Sequence, residues 1–304
     1  EHGRDDHADE GVAVRELRSL RDPALEERLA AGVPHAWTPT PGRLIEVLRR
    51  PGGDQLVVRL PDITARVPAD RLIGHGPSGA PAAPAAPGSG PRPGDLVELA
   101  LEAARPALSP GFFYVMGSRA LPRPAGAIRR IFLHALDADG ATALWAAALA
   151  ALEGAGALYH AKVLSDPDDF PRRDGVVVYL HGDHEPGERA VVEAVRGLPG
   201  TGPDTSLFTE RLAPGVAAAW DPRDPRPGQG GMSFGQHRGF ALATALVDHA
   251  LAAGDGGSLQ ERIAREFRAA GIDPLHPENN IPENNIPANA THPTHLTNST
   301  TEGN

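Results

Sequence analysis

The chain contains one lysine, Lys162, whereas every other cationic side chain in its 304 residues is an arginine. A coding sequence of high GC content accounts for the scarcity of lysine, but it does not explain why this position keeps one. An arginine stays protonated and is a poor proton acceptor, whereas a lysine shielded from water can lose its proton near neutral pH. Lys162 is therefore a candidate general base.

Residues on neighbouring predicted strands could complete a site around this lysine. Strand alternation in the sequence IRRIFLHAL places Arg130 and His134 on one face of their strand. The same alternation places His160 on the face that carries Lys162, and Tyr179 lies on the next predicted strand. The sequence thus offers two imidazoles, a phenol, an arginine and an amine on adjacent strands.

Three further arginines could bind an anion beside these groups. Arg172 and Arg173 follow the strand that holds the lysine, and Arg238 stands at the predicted start of a long helix, where backbone N–H groups and a partial positive charge meet. This set suits a phosphate group, with the lysine taking a carbon-bound proton and His134 protonating a leaving group. A plainer interpretation is also open: His134 and the tyrosine are core residues, and the two arginines are solvated charges beside Asp174.

Other short patterns favour different chemistry. Residues 231–235 (GMSFG) match the nucleophile-elbow pattern of serine hydrolases, with Ser233 as the nucleophile, but a loop precedes them where that pattern requires a buried strand. Residues 181–184 (HGDH) and 166–169 (DPDD) match no metal-site spacing that we can assign. The chain has no phosphate-binding loop or dinucleotide-binding glycine pattern, so we expect no cofactor and no metal.

Hydrophobic periodicity and turn residues predict the elements that must position these groups. We predict strands at 44–48, 56–60, 63–67, 111–116, 128–136, 157–164, 175–180 and 215–220, and helices at 16–31, 96–104, 141–153, 188–196, 238–253 and 258–270. The predicted fold class is α+β, with a mixed, largely antiparallel sheet flanked by helices and a small N-terminal α/β element.

Composition shifts divide the chain into four predicted segments. Residues 1–73 form the small N-terminal element, and residues 74–94 are a linker rich in Pro, Ala, Gly and Ser. Residues 95–276 form the main domain, and residues 277–304, rich in Asn, Thr and Pro, are expected to be disordered.

The composition also excludes several classes of protein. The formal net charge of −10 argues against a general nucleic-acid binder. The absence of cysteine excludes disulfides, thiolate metal sites and a cysteine nucleophile. No apolar stretch is long enough to span a membrane, and the charged N-terminus is unlike a signal peptide, so we expect a cytoplasmic protein without membrane contact.

Five segments together resemble a known family. They are GFFYVMG (111–117), IRRIFLHAL (128–136), YHAKVLSDPDDFPRRDGVVVYL (159–180), LFTERLAPGVAAA (207–219) and SFGQHRGFALATAL (233–246). These segments resemble the lyase component of class V lanthipeptide synthetases, which is related to a type III secretion effector of plant pathogens.

The resemblance implies a phosphoserine/phosphothreonine lyase that needs no cofactor or metal. A separate Ser/Thr kinase would phosphorylate a precursor peptide made of a leader and a core, the lyase would eliminate phosphate to leave dehydroalanine or dehydrobutyrine, and a cyclase would add thiols to these alkenes. The rival interpretation is a non-catalytic module that binds the kinase or the peptide.

The resemblance also implies a role for each site residue. Lys162 would abstract the α-proton, His134 would protonate the departing phosphate and Tyr179 would assist through its hydroxyl. The phosphate would be held by four arginines, which are Arg172 and Arg238 with Arg130 and Arg173 as additional candidates.

Overall fold

A computed structural model describes residues 21–60, 63–77, 83–84, 90–106, 108–122, 126–252 and 257–282. In chain order the elements of these residues are α1 (Pro23–Ala31), β1 (Trp37–Leu48), β2 (Gln55–Arg59), β3 (Thr64–Pro68), β4 (Leu72–Gly76), β5 (Ala83–Pro84), β6 (Leu96–Glu102), β7 (Phe112–Met116), β8 (Ile128–Ala135), α2 (Ala138–Gly154), β9 (Leu158–Leu164), β10 (Arg172–His181), α3 (Glu185–Val195), β11 (Glu210–Ala213), β12 (Val216–Trp220), α4 (Phe234–Leu251) and α5 (Leu259–Ala269).

The strands form two six-stranded sheets. Their orders are β3-β2-β1-β6-β4-β5 in the first sheet and β11-β12-β8-β10-β9-β7 in the second. Neighbouring strands in the described ranges run antiparallel. The predicted α+β class is therefore confirmed, because antiparallel sheets and helices both build the fold.

The first sheet encloses its own small core. Alternating residues of β1, β2 and β6 point inward, among them Leu44, Leu56, Val58, Val97 and Leu99. The helix predicted over 96–104 is wrong, because this segment forms β6 and pairs with β1 and β4. An alternating run that is this apolar is also compatible with a helix, and only the pairing partners decide between the two.

The N-terminal helix packs away from the first sheet. Leu25 and Leu29 of α1 are buried in the core of the second sheet, and the indole Nε1 of Trp145 donates a 3.0 Å hydrogen bond to the carbonyl of Leu29. Strand β6 lies beyond the predicted linker and yet belongs to the first sheet. The chain therefore crosses between the sheets on both sides of the segment 74–94.

The second sheet has two unlike faces. Helices α1, α2 and α3 cover one face with an apolar core that includes Ile131, Leu133, Val178 and Trp145. The opposite face carries aromatic and ionisable side chains and is partly covered by Phe234 of α4. Because side chains alternate along each strand, the covered face sets the register that turns Lys162 toward the opposite one.

Helix α4 begins earlier than predicted. Ser233 is its N-cap and forms a capping box with Gln236, so residues 234–237 already belong to the helix and Arg238 lies inside its second turn. The predicted capping box of Ser258 and Glu261 at α5 is confirmed. No helix in the described part of the chain has the length and apolarity that crossing a membrane requires.

The first residues of the predicted disordered tail are packed. Asn280 forms an isolated β-bridge with Ile272, and the backbone N–H of Trp220 donates a 2.9 Å hydrogen bond to the carbonyl of Glu278. The prediction is therefore wrong for residues 277–282, and the rest of the tail lies outside the described residues. These backbone bonds tie the polar segment down although it has few apolar side chains to bury.

Candidate active site

A cavity of about 820 Å³ opens on the polar face of the second sheet. Its walls come from β8, the start of β10, the loop 203–208 and the first turns of α4. The lining residues are Phe132, His134, Leu136, Pro171, Arg172, Arg173, Asp174, Pro203, Asp204, Ser206, Leu207, Phe208, Phe234, Gly235 and Gly239. Three of the predicted site residues, one imidazole and two guanidinium groups, therefore share one cavity.

His134 is held in one orientation at the cavity wall. Its side chain is buried, and the backbone N–H of Asp204 donates a 3.2 Å hydrogen bond to Nδ1. Since Nδ1 accepts this bond, the neutral ring carries its proton on Nε2. A side chain at Gly202 would reach within 2.3 Å of the ring, so only a glycine fits beneath the imidazole.

Arg172 and Arg173 form ion pairs within the cavity wall. Arg172 donates two 2.9 Å hydrogen bonds to Asp174, which raise the pKa of its guanidinium further. Arg173 donates a 3.2 Å bond to Asp204. Both arginine side chains are about half exposed, so an anion in the cavity could compete with the carboxylates for their N–H groups.

Lys162 lies on the same sheet face as the cavity. It pairs across β9 and β10 with Val177, which in turn pairs with Phe132 of the cavity wall. Its Nζ lies 3.9 Å from the centroid of the Phe112 ring. Within the described residues, no hydrogen bond or ion pair joins Lys162 to another side chain.

The surroundings of Lys162 favour its neutral amine. Burial lowers the pKa of its ammonium, and the positive charges of Arg130 and Arg172 lower that pKa further. Asp174 acts in the opposite direction, as does the contact with the Phe112 ring, which favours the charged form. The net direction is downward, which is the direction that a lysine base requires.

A stack of rings adjoins the lysine. His160 lies between Tyr114 and Tyr179, with ring centroids 5.4 Å and 4.3 Å away, and the Arg130 guanidinium covers the other face of Tyr179 at 4.8 Å. Arg130 is also paired with Asp221. The sequence placed two of these residues, Arg130 and Tyr179, in the site, whereas Tyr114 was missed and His160 was seen only as a neighbour of the lysine.

The histidine in this stack is neutral. Burial, together with the nearby His181, Arg130 and Lys162, lowers the pKa of His160 to about 3. Its Nδ1 lies 2.9 Å from Nε2 of His181, so one ring donates to the other. Burial also raises the pKa of Tyr179, whose hydroxyl therefore stays a proton donor.

Arg238 is not at the cavity. It is fully buried in α4, where its guanidinium donates to the carbonyls of Pro277 (3.0 Å) and Asn279 (3.4 Å) and to the side chain of Asn280 (3.0 Å). Its Nη1 lies 2.7 Å from Nδ1 of His237. Arg238 therefore does not line the cavity, because its hydrogen bonds anchor the segment 277–280 and the adjacent histidine; its role in phosphate binding stays a prediction.

The nucleophile-elbow pattern at residues 231–235 does not form a Ser–His pair. The Ser233 hydroxyl accepts the backbone N–H of Gln236 as a helix cap, and His237 cannot serve it as a base because its Nε2 lies 3.0 Å from Asp224 and its Nδ1 faces Arg238. Among the described residues, no group of three or more His, Asp or Glu side chains could hold a metal ion.

Comparison with known proteins finds no significant match among curated sequences. Among solved structures, the chain is similar to the effector proteins of Pseudomonas syringae pv. tomato strain DC3000 (21% identity, TM-score 0.44) and pv. syringae strain 61 (16% identity, TM-score 0.43). Each similarity covers 56% of this chain and 63% of the effector chain, so the match spans less than two thirds of either effector.

A family model covers more than half of the chain. It matches residues 103–278, which include β7 to β12, α2 to α5 and the whole cavity. By this match the chain belongs to the HopA1 effector protein family.

Proposed function

We propose that this chain is a phosphoserine/phosphothreonine lyase that acts on a peptide. The observation that carries the proposal is Lys162, a half-buried amine with a lowered pKa on the sheet face that also forms the cavity. An ordinary surface lysine is charged and solvated, and it could not accept a proton from carbon.

The proposed reaction is a β-elimination. The neutral Lys162 amine takes the α-proton and becomes an ammonium, while the electron pair of the Cα–H bond forms the Cα=Cβ double bond. The Cβ–O bond breaks, and the phosphate leaves with a proton from the His134 imidazolium. In the imidazolium both ring nitrogens carry protons, so the hydrogen bond from the Asp204 N–H to Nδ1 has to open before this step.

The cavity wall supplies the groups that would hold the phosphate. Arg172 and Arg173 would exchange their carboxylate partners for phosphate oxygens, which accept two guanidinium N–H groups equally well. The first turn of α4, with Gly235 in the wall, adds a partial positive charge. Tyr179 would donate from its hydroxyl beside Arg130.

The resemblance of the sequence to the lyase component of class V lanthipeptide synthetases supports a more specific proposal. The substrate would be a ribosomally made precursor peptide that a separate kinase has phosphorylated, and the product would be dehydroalanine or dehydrobutyrine for a cyclase in lanthipeptide biosynthesis. The chain would then work together with this kinase and the cyclase. The half-exposed arginines and the open cavity suit a polypeptide better than a small enclosed ligand.

Mass spectrometry tests the proposal directly. Phosphoserine and phosphothreonine peptides are incubated with the protein alone, with EDTA and without nucleotide, and an added thiol then traps any alkene. We expect loss of phosphoric acid followed by thiol addition. An unchanged peptide, both alone and with the cognate kinase present, would contradict the lyase and favour a binding module.

A further inference from the structure

The cavity has an apolar rim in addition to its charged wall. Leu207 has 74% of its surface exposed and Leu136 has 43%, and both lie in the same cavity as Arg172 and Arg173. Single exposed leucines are ordinary on protein surfaces. Here the two leucines line the same cavity as Phe208 and several charged side chains, and we call these three apolar residues the apolar rim (Leu136, Leu207 and Phe208).

The loop that carries Leu207 and Phe208 of the rim is fixed at several points. Phe208 adopts a left-handed backbone conformation with φ of 62°, which is unusual for an aromatic residue. Its ring packs edge-on against Phe267 of α5, with the two ring centroids 6.1 Å apart. The Ser206 hydroxyl donates a 3.3 Å hydrogen bond to the carbonyl of Arg173, and Thr209 donates to the carbonyl of Ser206. These contacts fix the backbone on both sides of Leu207, whose side chain lines the cavity and is largely exposed.

The size of the cavity exceeds the needs of a phosphate group. Its volume of about 820 Å³ lies within the range of pockets that enclose drug-sized ligands. A phosphorylated residue with one neighbouring residue on each side has such a size. The charged wall accounts for the phosphate, which leaves the apolar rim for a neighbouring side chain.

We propose that the apolar rim binds an apolar side chain directly next to the phosphorylated Ser or Thr, and thereby selects the peptide sequence that is processed. This inference rests on the proposed function, because it takes the phosphate to lie at Arg172 and Arg173. An acidic neighbour is disfavoured, since Asp174 and Asp204 lie in the same cavity.

Short phosphothreonine peptides that differ only in the flanking residues test this inference. We compare leucine, glycine and aspartate on either side, measuring kcat/KM for elimination and, by fluorescence anisotropy, affinity. We expect leucine on one side to be favoured over glycine about tenfold, the size of effect that an apolar pocket gives, and aspartate to be the poorest.

Matched variants separate the rim from general surface effects. Leu207→Ser should abolish the leucine preference, whereas Leu251→Ser, which changes a residue of 79% exposure that does not line the cavity, should leave it intact. A leucine preference that persists in Leu207→Ser, or no preference in the unmodified protein, would overturn the inference. If no peptide loses phosphate, the lyase proposal fails, and the anisotropy series still tests the rim.

Discussion

Arg238 offers a sharp test of the structure against the role that the sequence suggested. Its guanidinium makes two 3.0 Å bonds, to the Pro277 carbonyl and the Asn280 side chain, and a longer bond to the Asn279 carbonyl. The two short bonds come from a charged donor, and such bonds contribute about 1.5–3 kcal/mol each. Burial and the charge of Arg130 lower the pKa of Arg238 to about 10, which offsets part of this stabilisation.

We therefore expect Arg238→Met to reduce the free energy of unfolding by about 2–4 kcal/mol. Urea unfolding followed by tryptophan fluorescence measures this change. Hydrogen exchange should show that the amide of Ile281, which donates to the Gly271 carbonyl, exchanges faster. Arg172→Met is the matched control, because its exposed pair with Asp174 should contribute no more than about 1 kcal/mol.

The two variants should rank in the reverse order when phosphopeptide binding is measured instead of stability. Arg172→Met should weaken binding, whereas Arg238→Met should leave it nearly unchanged in protein that is still folded. An Arg238→Met variant that keeps its stability within about 1 kcal/mol and loses phosphopeptide affinity at least tenfold would refute the anchoring role and restore the sequence interpretation.

Three further predictions follow from the site. The pKa of folded His160 is about 3 and lies below its unfolded value, so between these values the unfolded state binds more protons and stability falls as the pH drops from about 6.5 toward 3. His160→Phe should reduce this loss by up to about 1.4 kcal/mol per pH unit, measured by urea unfolding at a series of pH values. An unchanged dependence of stability on pH in His160→Phe would refute the neutral buried histidine. Gly202→Ala should displace the His134 ring and lower kcat about 100-fold or more with little change in peptide affinity. Gly154→Ala, at the end of α2, meets no atom within 4 Å and does not line the cavity, so it should retain activity; equal losses of activity in the two variants would refute the role of the Gly202 contact. Ser233→Ala should cost about 1 kcal/mol of stability through loss of the α4 cap and leave elimination intact, and abolished elimination would instead indicate a chemical role for this hydroxyl.

Local patterns predicted most of the second sheet. Side-chain alternation along β8 and β9 was sufficient to place Arg130 with His134 and His160 with Lys162 on common faces. The strand β6 was misassigned because its pairing with β1 and β4 is a nonlocal property that periodicity does not encode.

The contacts that shape the site could not be predicted in the same way. The loop with Leu207 and Phe208 meets β8 and β10 only in three dimensions, as do the rings of Tyr114, His160 and Tyr179. The misplaced start of α4 put Arg238 at a helix terminus, where an anion site was reasonable, whereas Ser233 is the actual cap. The sequence contained that capping signal, and it should have been preferred to the position of the arginine.

The most direct test of the central claim compares the unmodified protein with Lys162→Arg. Arginine keeps a positive charge and much of the length of the side chain, but it cannot supply a neutral amine for proton abstraction. Single-turnover elimination from a phosphothreonine peptide is followed by mass spectrometry, and peptide affinity is measured in parallel. We predict that Lys162→Arg binds the phosphopeptide with nearly unchanged affinity and loses at least 100-fold in the rate of phosphate elimination. Elimination at an unchanged rate in Lys162→Arg would contradict the assignment of Lys162 as the base.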